Sequence, residues 1–292
     1  MSKVTIIGGG VVGLFTAYYL SEEGFEVTLL DQGDLQQGCS TGNAGMIVPS
    51  HLVPLASPGM ISKGLKWMLS ATSPFYIHPR LDRRLLQWCL HFYRASTKKH
   101  VEHSIPYLKN LSLLSKQLYQ DFAQQHPGSG IGLEEKGLLM LYRTPEMERE
   151  ETEMAHLANQ HGVEANVLSR QEAQQLEPNV ELDVRGAVHF PGDGHLNPAK
   201  LHCFLKDYLV TKGVQLVSQA QVLRFEHMGD CIQTIVTTQG DYTCDQLIVC
   251  AGAWSGELAG KLGIYLPMLS GKGYSFMQQN QPALQLPAIL CE

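Results

Sequence analysis

A glycine-rich turn between a strand and a helix constrains this chain most. Residues 4–7 (VTII) predict a buried strand, residues 8–13 (GGGVVG) follow at once, and residues 14–20 predict a helix. A second predicted strand, residues 26–30, ends on Asp31. Strand, glycine turn, helix, strand and acid in this order predict the βαβ unit of a dinucleotide-binding domain.

Each glycine of the turn has a predicted task. Gly8 permits the tight turn out of the strand, Gly10 lets the backbone approach a pyrophosphate, and Gly13 lets the helix pack on the strand. At the helix start, Val11 and Val12 are predicted to present N–H groups and a partial positive charge to the phosphates.

The acid at the end of the second strand completes the predicted unit. Asp31 is expected to accept hydrogen bonds from a ribose diol, with Gln32 beside it in the cofactor site. A glycine-rich turn without a ligand is the alternative, and the ordered set of five features argues against it.

Composition excludes several classes of function. The formal charge of -6, with scattered basic residues, argues against a nucleic-acid groove. The chain enters a strand at once and has no apolar run of about 18 residues, so neither a secretory signal nor a membrane span is expected. Its seven cysteines lack paired spacing, which indicates reduced thiols in a cytosolic protein and no metal site.

The order of predicted elements indicates an α/β protein, α+β overall. A Rossmann-like nucleotide-binding domain is expected in two segments, residues 1–53 and 198–263. Residues 54–197 are predicted to form an inserted substrate or cap domain of mixed sheet and helices, and residues 264–292 to begin a further segment of its sheet. The insertion opens helically and includes one apolar helix stripe, formed by Leu108, Leu111, Leu114, Leu118 and Phe122.

Four spaced segments carry a family resemblance: the opening unit with Asp31, residues 40–45 (STGNAG), residues 192–198 (GDGHLNP) and residues 247–255 (LIVCAGAWS). Together they resemble the FAD-dependent oxidoreductases of the D-amino-acid oxidase superfamily, the DAO family. Residues 43–45, 54–59, 64–68 and 269–275 are most similar to segments of bacterial D-amino-acid dehydrogenases. The resemblance implies a flavoprotein with a Rossmann-like FAD-binding domain.

The resemblance also implies further contacts to FAD. The loop after Asp31 is expected to contact the pyrophosphate and the isoalloxazine edge through Ser40, Thr41, Asn43, Ala44, Gly45 and Met46. Non-covalent binding is expected, although Cys39 is a candidate for a covalent link.

Later segments are expected to complete the FAD site. The resemblance implies that the Val222 backbone pairs with the adenine and that Ala251, Gly252 and Trp254 close over the phosphates and the ribityl chain. Core packing is the alternative for Val222 and Trp254.

Candidates for substrate contact are His51, beyond the flavin loop, and Tyr274, after residues 271–273 (GKG). The resemblance implies that Tyr274 lies on a sheet facing the flavin, and both residues are expected to position the substrate. A solvated loop histidine is the alternative for His51.

The implied reaction is oxidative deamination in amino-acid catabolism. Hydride passes from the α-carbon of a D-amino acid to flavin N5, the imino acid hydrolyses to a 2-oxo acid and ammonia, and a quinone or other carrier takes the electrons. Open alternatives are D-hydroxyproline, glycine or sarcosine as substrate, oxygen as acceptor, and a non-catalytic FAD-fold remnant or subunit.

Two further expectations concern location and length. Aromatic and basic residues interleave over residues 67–93, Phe75 and Tyr76 among them, which favours either helices packed over the substrate pocket or peripheral contact with the inner face of the cytoplasmic membrane by a cytoplasmic protein. The family's later Gly-x-Arg-Pro and Gly-His-Gly segments do not occur in the sequence, so a truncated copy or a fragment is expected.

Overall fold

A computed structural model describes residues 2–36, 38–68, 77, 80, 82–229, 231–276 and 284–291. The chain forms two compact units, each discontinuous in sequence. Unit 1 comprises Met1–Ala44, Ser129–Ile131 and Asn197–Ser275, and unit 2 comprises Gly45–Gly128, Gly132–Leu196 and Phe276–Glu292. The functional domain boundaries at residues 53, 197 and 263 stay a prediction.

The helices and strands follow in chain order. The helices are α1 (Val11–Glu22), α2 (Met60–Met68), α3 (Arg83–Ala95), α4 (Lys98–Gln125), α5 (Pro145–Gln160), α6 (Arg170–Leu176), α7 (Pro198–Thr211) and α8 (Ser255–Lys261). The strands are β1 (Lys3–Ile7), β2 (Glu26–Leu30), β3 (Met46–Ile47), β4 (Leu138–Tyr142), β5 (Asn166–Ser169), β6 (Gly186–Phe190), β7 (Gly194–His195), β8 (Gln215–Val217), β9 (Val222–Met228), β10 (Cys231–Thr237), β11 (Gly240–Thr243), β12 (Gln246–Val249) and β13 (Ala288–Cys291).

Unit 1 contains a parallel sheet with the strand order β12-β1-β2-β8. Apolar residues of β1 and β2 are buried, among them Ile6 and Leu29, and α1 packs with α7. The antiparallel strands β9, β10 and β11 share a core with the parallel sheet, in which Val222 and Ile235 pack with Ile7. This architecture confirms the predicted α/β class, and it places the glycine turn at the carboxyl end of β1.

Unit 2 contains a mixed sheet with the strand order β13-β4-β6-β5. β13 runs parallel to β4, whereas β6 runs antiparallel to both β4 and β5. Small residues of α5, Ala155 and Ala158, pack in one core with Tyr142 and Val188 from the sheet. The short strands β3 and β7 pair antiparallel to each other. Residue 50 lies three positions after the end of β3, and residue 193 lies directly before β7.

The helix over residues 108–122 is confirmed, but the middle of its apolar stripe does not face a core. Leu111 and Leu114 are 65% and 55% exposed, and Leu118 is also exposed. The helix α4 packs through Ile105 and through Phe122, the last residue of the stripe. The residues that fill the core therefore lie towards the two ends of the helix.

In the described part of the chain, no helix is both long and apolar enough to cross a membrane. Phe75 and Tyr76 lie outside the described residues.

Candidate functional site

The turn after β1 is possible only with glycine at two positions. Gly8 has a φ of +112°, and a Cβ there would collide with the Cys250 carbonyl group. A Cβ on Gly13 would collide with the Gly8 carbonyl group. Both collisions involve backbone, which cannot swing aside as a side chain can.

Gly10 is in a different environment. It lies at the N-terminus of α1, where an added Cβ would meet the Ser40 Oγ at 3.1 Å. The Val11 N–H donates to that Oγ at 2.9 Å, while Val12 is 64% exposed. The first turn of α1 is thus open to solvent within unit 1, as a site for a pyrophosphate on a helix N-terminus requires.

Asp31 supports this turn directly. Its Oδ2 accepts the Gly9 N–H at 2.6 Å and its Oδ1 accepts the Gly33 N–H at 2.7 Å. The carboxylate therefore holds the glycine turn against the end of β2, a task that the sequence did not reveal. Each oxygen retains a further lone pair. Contact of Asp31 with a ribose stays a prediction, and so does the place of the exposed Gln32 in the cofactor site.

His202 is a residue that the sequence analysis missed. It lies on α7, only 6% exposed, with Nε2 3.0 Å from the Gly9 carbonyl oxygen. Because a carbonyl only accepts, Nε2 carries the hydrogen and donates it. Burial lowers the pKa of this imidazole. No sequence signal links two residues 193 positions apart.

The loop after Asp31 closes on itself. The Asn43 amide donates to the carbonyl oxygens of Cys39 at 2.9 Å and Ser40 at 3.1 Å, and the Thr41 hydroxyl donates to Gly38 at 3.1 Å. Ser40 is the member that reaches α1, and Ala44 is exposed. These side chains fix the shape of the loop, and their contact with a flavin stays a prediction.

The end of the predicted flavin loop belongs to unit 2. The Gly45 carbonyl accepts the Leu196 N–H at 2.9 Å, and Met46 pairs with His195 between β3 and β7. This short pair positions the next segment, which includes His51.

The last segment of unit 1, Asn197–Ser275, has one buried and one exposed candidate for contact with FAD. Val222 is 5% exposed, and its carbonyl accepts a hydrogen bond from the Lys261 ammonium at 2.8 Å. Trp254 is 53% exposed, so the core-packing alternative for it is wrong. Ala251 and Gly252 form the turn before it, where the Ala251 carbonyl accepts the Trp254 N–H and Gly252 has a φ of +52°.

In unit 2, His51 belongs to a row of three polar side chains. The Asp193 carboxylate accepts the Ser50 N–H at 3.1 Å on Oδ1 and the Ser50 hydroxyl at 2.5 Å on Oδ2. The Ser50 Oγ lies 3.2 Å from the His51 Nδ1. Asp193 is 0% exposed and Ser50 is 6% exposed, so both partners lie inside the protein.

Burial changes the proton affinities in this row. It raises the pKa of Asp193 to about 6, although the Ser50 hydrogen bonds and the Lys116 charge act to lower it. His51 is an exposed residue, yet the protein atoms around its ring exclude enough water to lower its pKa.

Tyr274 differs from its prediction. It lies in the irregular stretch of residues 264–276, so the expected place on a sheet is wrong. The ring is 80% exposed, and the Lys272 ammonium lies 5.1 Å from its centroid. Among the described residues of the 264–292 segment, Ala288–Cys291 form the strand β13. Contact of Tyr274 with a substrate stays a prediction.

Among the residues that the structure describes, no group of three or more His, Cys, Asp or Glu side chains could hold a metal ion.

Comparison with known proteins identifies what this chain is similar to. Residues 3–290 match the family model described as "DAO: FAD dependent oxidoreductase". A D-amino acid dehydrogenase of Neisseria meningitidis serogroup C is 30% identical over 284 residues, which are 94% of this chain and 66% of the relative. A D-amino acid dehydrogenase of Helicobacter pylori is 28% identical over 273 residues, 94% of this chain and 65% of the relative. The chain thus spans about two thirds of the length of these relatives.

Among solved structures, glycine oxidase from Geobacillus kaustophilus matches with a TM-score of 0.66 and 22% identity. The match covers 90% of this chain and 59% of the oxidase chain. At this identity the likeness is one of fold.

Proposed function

We propose that this chain, which belongs to the DAO family of FAD-dependent oxidoreductases, oxidises D-amino acids to 2-oxo acids and ammonia. The family match over residues 3–290, together with the glycine turn that it includes, is the observation that carries the proposal. The residues at the turn fit the cofactor, since the start of α1 is open beside glycines whose tight turn is held by Asp31.

FAD supplies the redox chemistry, in which hydride leaves the carbon that bears the amine. The residues proposed to hold the cofactor are Gly8, Gly10, Val11, Val12, Gly13, Asp31, Gln32, Ser40, Thr41, Asn43, Ala44, Gly45, Met46, Val222, Ala251, Gly252 and Trp254. The proposed binding is non-covalent. The protein's proposed part is to orient the substrate and to exclude water from the reacting face.

D-amino acids are the proposed substrates because two relatives named D-amino acid dehydrogenase are 28% and 30% identical to this chain over 94% of its length. His51 and Tyr274 are proposed to position the substrate, and a quinone or other carrier to take the electrons. The alternatives are another amine, such as D-hydroxyproline, glycine or sarcosine, oxygen as acceptor, and a non-catalytic FAD-fold remnant or subunit.

We further propose a cytoplasmic protein that contacts the inner face of the membrane. Its support is α3, where the exposed side chains Leu86, Leu90 and Tyr93 share the helix with the exposed Arg83 and Arg84. An amphipathic helix with apolar and basic exposed residues suits an anionic lipid surface.

The proposed function is tested by anaerobic reduction of bound flavin. Purified protein is mixed with single D-amino acids, their L-enantiomers, glycine, sarcosine and D-hydroxyproline, and loss of the visible flavin absorbance is recorded. We expect bleaching by D-amino acids, followed by faster reoxidation with a quinone than with oxygen. Bleaching by glycine, sarcosine or D-hydroxyproline alone would transfer the proposal to that amine, and a flavin that no amine reduces would contradict catalysis.

A matched pair of variants tests the cofactor site. Gly10→Val places a branched side chain at the open start of α1, and we expect it to abolish flavin binding while circular dichroism stays unchanged. Gly10→Ala adds one methyl group with Ser40 Oγ as its nearest neighbour, at 3.1 Å, and should keep most of the flavin. Normal flavin content in Gly10→Val would remove the turn from the cofactor site.

A further inference from the structure

Asp193, Ser50 and His51 form a row of carboxylate, hydroxyl and imidazole in unit 2. We propose that Asp193, acting through Ser50, determines which ring nitrogen of His51 carries the hydrogen and leaves Nε2 as a proton acceptor. Asp193 and Ser50 are then positioning residues for His51.

The argument begins with the single hydrogen of the Ser50 hydroxyl group. An ionised carboxylate can only accept, so the Ser50 hydroxyl group, whose Oγ lies 2.5 Å from the Asp193 Oδ2, donates to it. The Ser50 Oγ then offers only lone pairs to the His51 Nδ1, 3.2 Å away. That contact is a hydrogen bond only if Nδ1 carries the hydrogen, so the Nε2 of the neutral ring has a free lone pair.

The carboxylate cannot easily rotate out of this arrangement. Its other oxygen accepts the Ser50 N–H at 3.1 Å, and the Asp193 carbonyl accepts the Gly137 N–H at 3.0 Å. The charged group that acts on Asp193 from α4 is Lys116, whose ammonium bonds to the Gly192 carbonyl at 2.8 Å and pairs with Glu135 at 2.9 Å. The row is thus held at both carboxylate oxygens and by the backbone.

A free Nε2 lone pair gives His51 a chemical use. It can take a proton from a substrate ammonium group, so that an N–H bond breaks, an Nε2–H bond forms and the amine keeps its lone pair. The imidazolium charge is then offset by Asp193 through Ser50, as a carboxylate does when it orients a histidine directly. This use rests on the proposed function, whereas control of the ring hydrogen does not.

The direction of the hydrogen bonds along this row should reverse when Asp193 gains a proton. Its pKa is raised to about 6, and below that pH the acid O–H can donate to Ser50. The Ser50 hydroxyl would then donate to Nδ1, and a neutral His51 ring would carry its hydrogen on Nε2.

The decisive variant is Asp193→Asn. Its Oδ1 can still accept the Ser50 N–H, which leaves the NH₂ group facing the Ser50 Oγ as a donor. The hydroxyl hydrogen must then turn to Nδ1, so we expect the hydrogen of His51 to move to Nε2 in this variant.

The measurement is ¹⁵N NMR of the full chain labelled at histidine, at a pH above the Asp193 pKa, with His51 assigned from its loss in His51→Gln. We expect Nδ1 to be protonated and Nε2 unprotonated in the wild-type protein, and the reverse in Asp193→Asn. Once Ser50→Ala has removed the hydroxyl link, adding Asp193→Asn should leave the His51 ring pattern unchanged. Ser50→Thr, which keeps a hydroxyl group, should retain the wild-type pattern.

The proposal is overturned if wild-type His51 carries its hydrogen on Nε2, or if Asp193→Asn alone leaves the pattern unchanged. Circular dichroism identifies variants that fail to fold. The NMR result needs neither substrate nor flavin reduction, so it separates from the proposed function. The ring hydrogen of His51 could move in Asp193→Asn while the rate and the pH profile of flavin reduction stay unchanged. That result would show that Asp193 controls the ring hydrogen but that His51 takes no part in the reaction.

Discussion

Two aspartates hold two turns in this molecule, one in each unit, by different means. Asp31 in unit 1 is partly exposed and accepts two backbone N–H groups, from Gly9 and Gly33. Asp193 in unit 2 is fully buried and accepts one backbone N–H and the Ser50 hydroxyl group. The first carboxylate fixes a backbone shape, whereas the second also controls a hydrogen that can change direction.

The histidines near the two aspartates show the same difference. His202 contacts the Gly9 carbonyl, which can never donate, so the hydrogen on its Nε2 is fixed. His51 contacts a hydroxyl group, which donates or accepts according to the protonation of Asp193. The partner of His202 therefore fixes its ring hydrogen, whereas the ring hydrogen of His51 can respond to pH through Asp193.

The largest expected effect tests the rigidity of the unit 1 turn. Gly13→Ala drives a Cβ into the Gly8 carbonyl, and we expect a loss of unfolding free energy on the order of 4 kcal/mol. In the unit 2 turn, a Cβ on Gly194 would lie 2.8 Å from the Glu134 carbonyl oxygen, so Gly194→Ala should lose about 2 kcal/mol. Urea unfolding measures both.

Gly10→Ala is the matched control, because its nearest neighbour is the side chain of Ser40 at 3.1 Å. We expect a change of less than about 1 kcal/mol. Equal losses of unfolding free energy in Gly10→Ala and Gly13→Ala would contradict a rigid turn in unit 1. A larger loss in Gly194→Ala than in Gly13→Ala would show that the turn in unit 2 is the more rigid one.

A smaller effect follows from the burial of Asp193. Its pKa is raised from 3.8 to about 6, so the native state binds a proton more tightly than the unfolded state between these values. The associated stability is full below the unfolded pKa and is lost as the pH rises through the folded pKa. A difference of roughly two pKa units corresponds to about 3 kcal/mol.

Urea unfolding at several pH values across this range measures how steeply the free energy of unfolding changes with pH. Asp193→Asn should remove the contribution, whereas Asp31→Asn should keep it. Parallel pH curves for wild type and Asp193→Asn would mean that Asp193 is not the group that titrates.

Of the two aspartates, Asp31 gives the smaller expected loss of stability when it is replaced by asparagine. The amide keeps the shape but can accept with only one of its two groups, so one backbone N–H loses its partner at a cost of about 2 kcal/mol. If the ribose also binds here, flavin should be lost on desalting.

The matched control for this variant is Asp34→Asn. Asp34 is exposed, and its carboxylate accepts a local hydrogen bond from the Gln36 N–H at 2.9 Å. We expect this variant to keep its flavin, because the side chain is not joined to the glycine turn by that bond. Full retention of flavin in Asp31→Asn as well would contradict the ribose role.

Local signals predicted much of the fold. The β1–α1–β2 unit follows from the glycine turn and from the pattern of apolar residues around it. The helix α7 has an equally local signal, because proline suits the first position of a helix and Asn197 caps this one. The helix α6 was missed although its signal was present, since Ser169 and Glu172 form a capping box.

Contacts between distant residues could not be predicted. Ser50 and Asp193 are 143 positions apart, and neither residue type in its local sequence indicates a partner. The motif that contains Asp193 was recognised by resemblance, but its hydrogen bond to Ser50 depends on how β3 and β7 bring two loops together. Pattern reasoning finds elements, whereas such pairings follow from the path of the chain.

The interleaving of the two units has a consequence for synthesis on the ribosome. In unit 1, Val4 of β1 pairs with Gln246 of β12, and in unit 2, Leu139 of β4 pairs with Ala288 of β13. Closing such long loops is slow, because their entropy must be lost before the pairing stabilises anything. A nascent chain therefore carries two incomplete sheets, each lacking one edge strand, until residues 246–249 and 288–291 have emerged, and during that interval it is exposed to aggregation and to capture by chaperones.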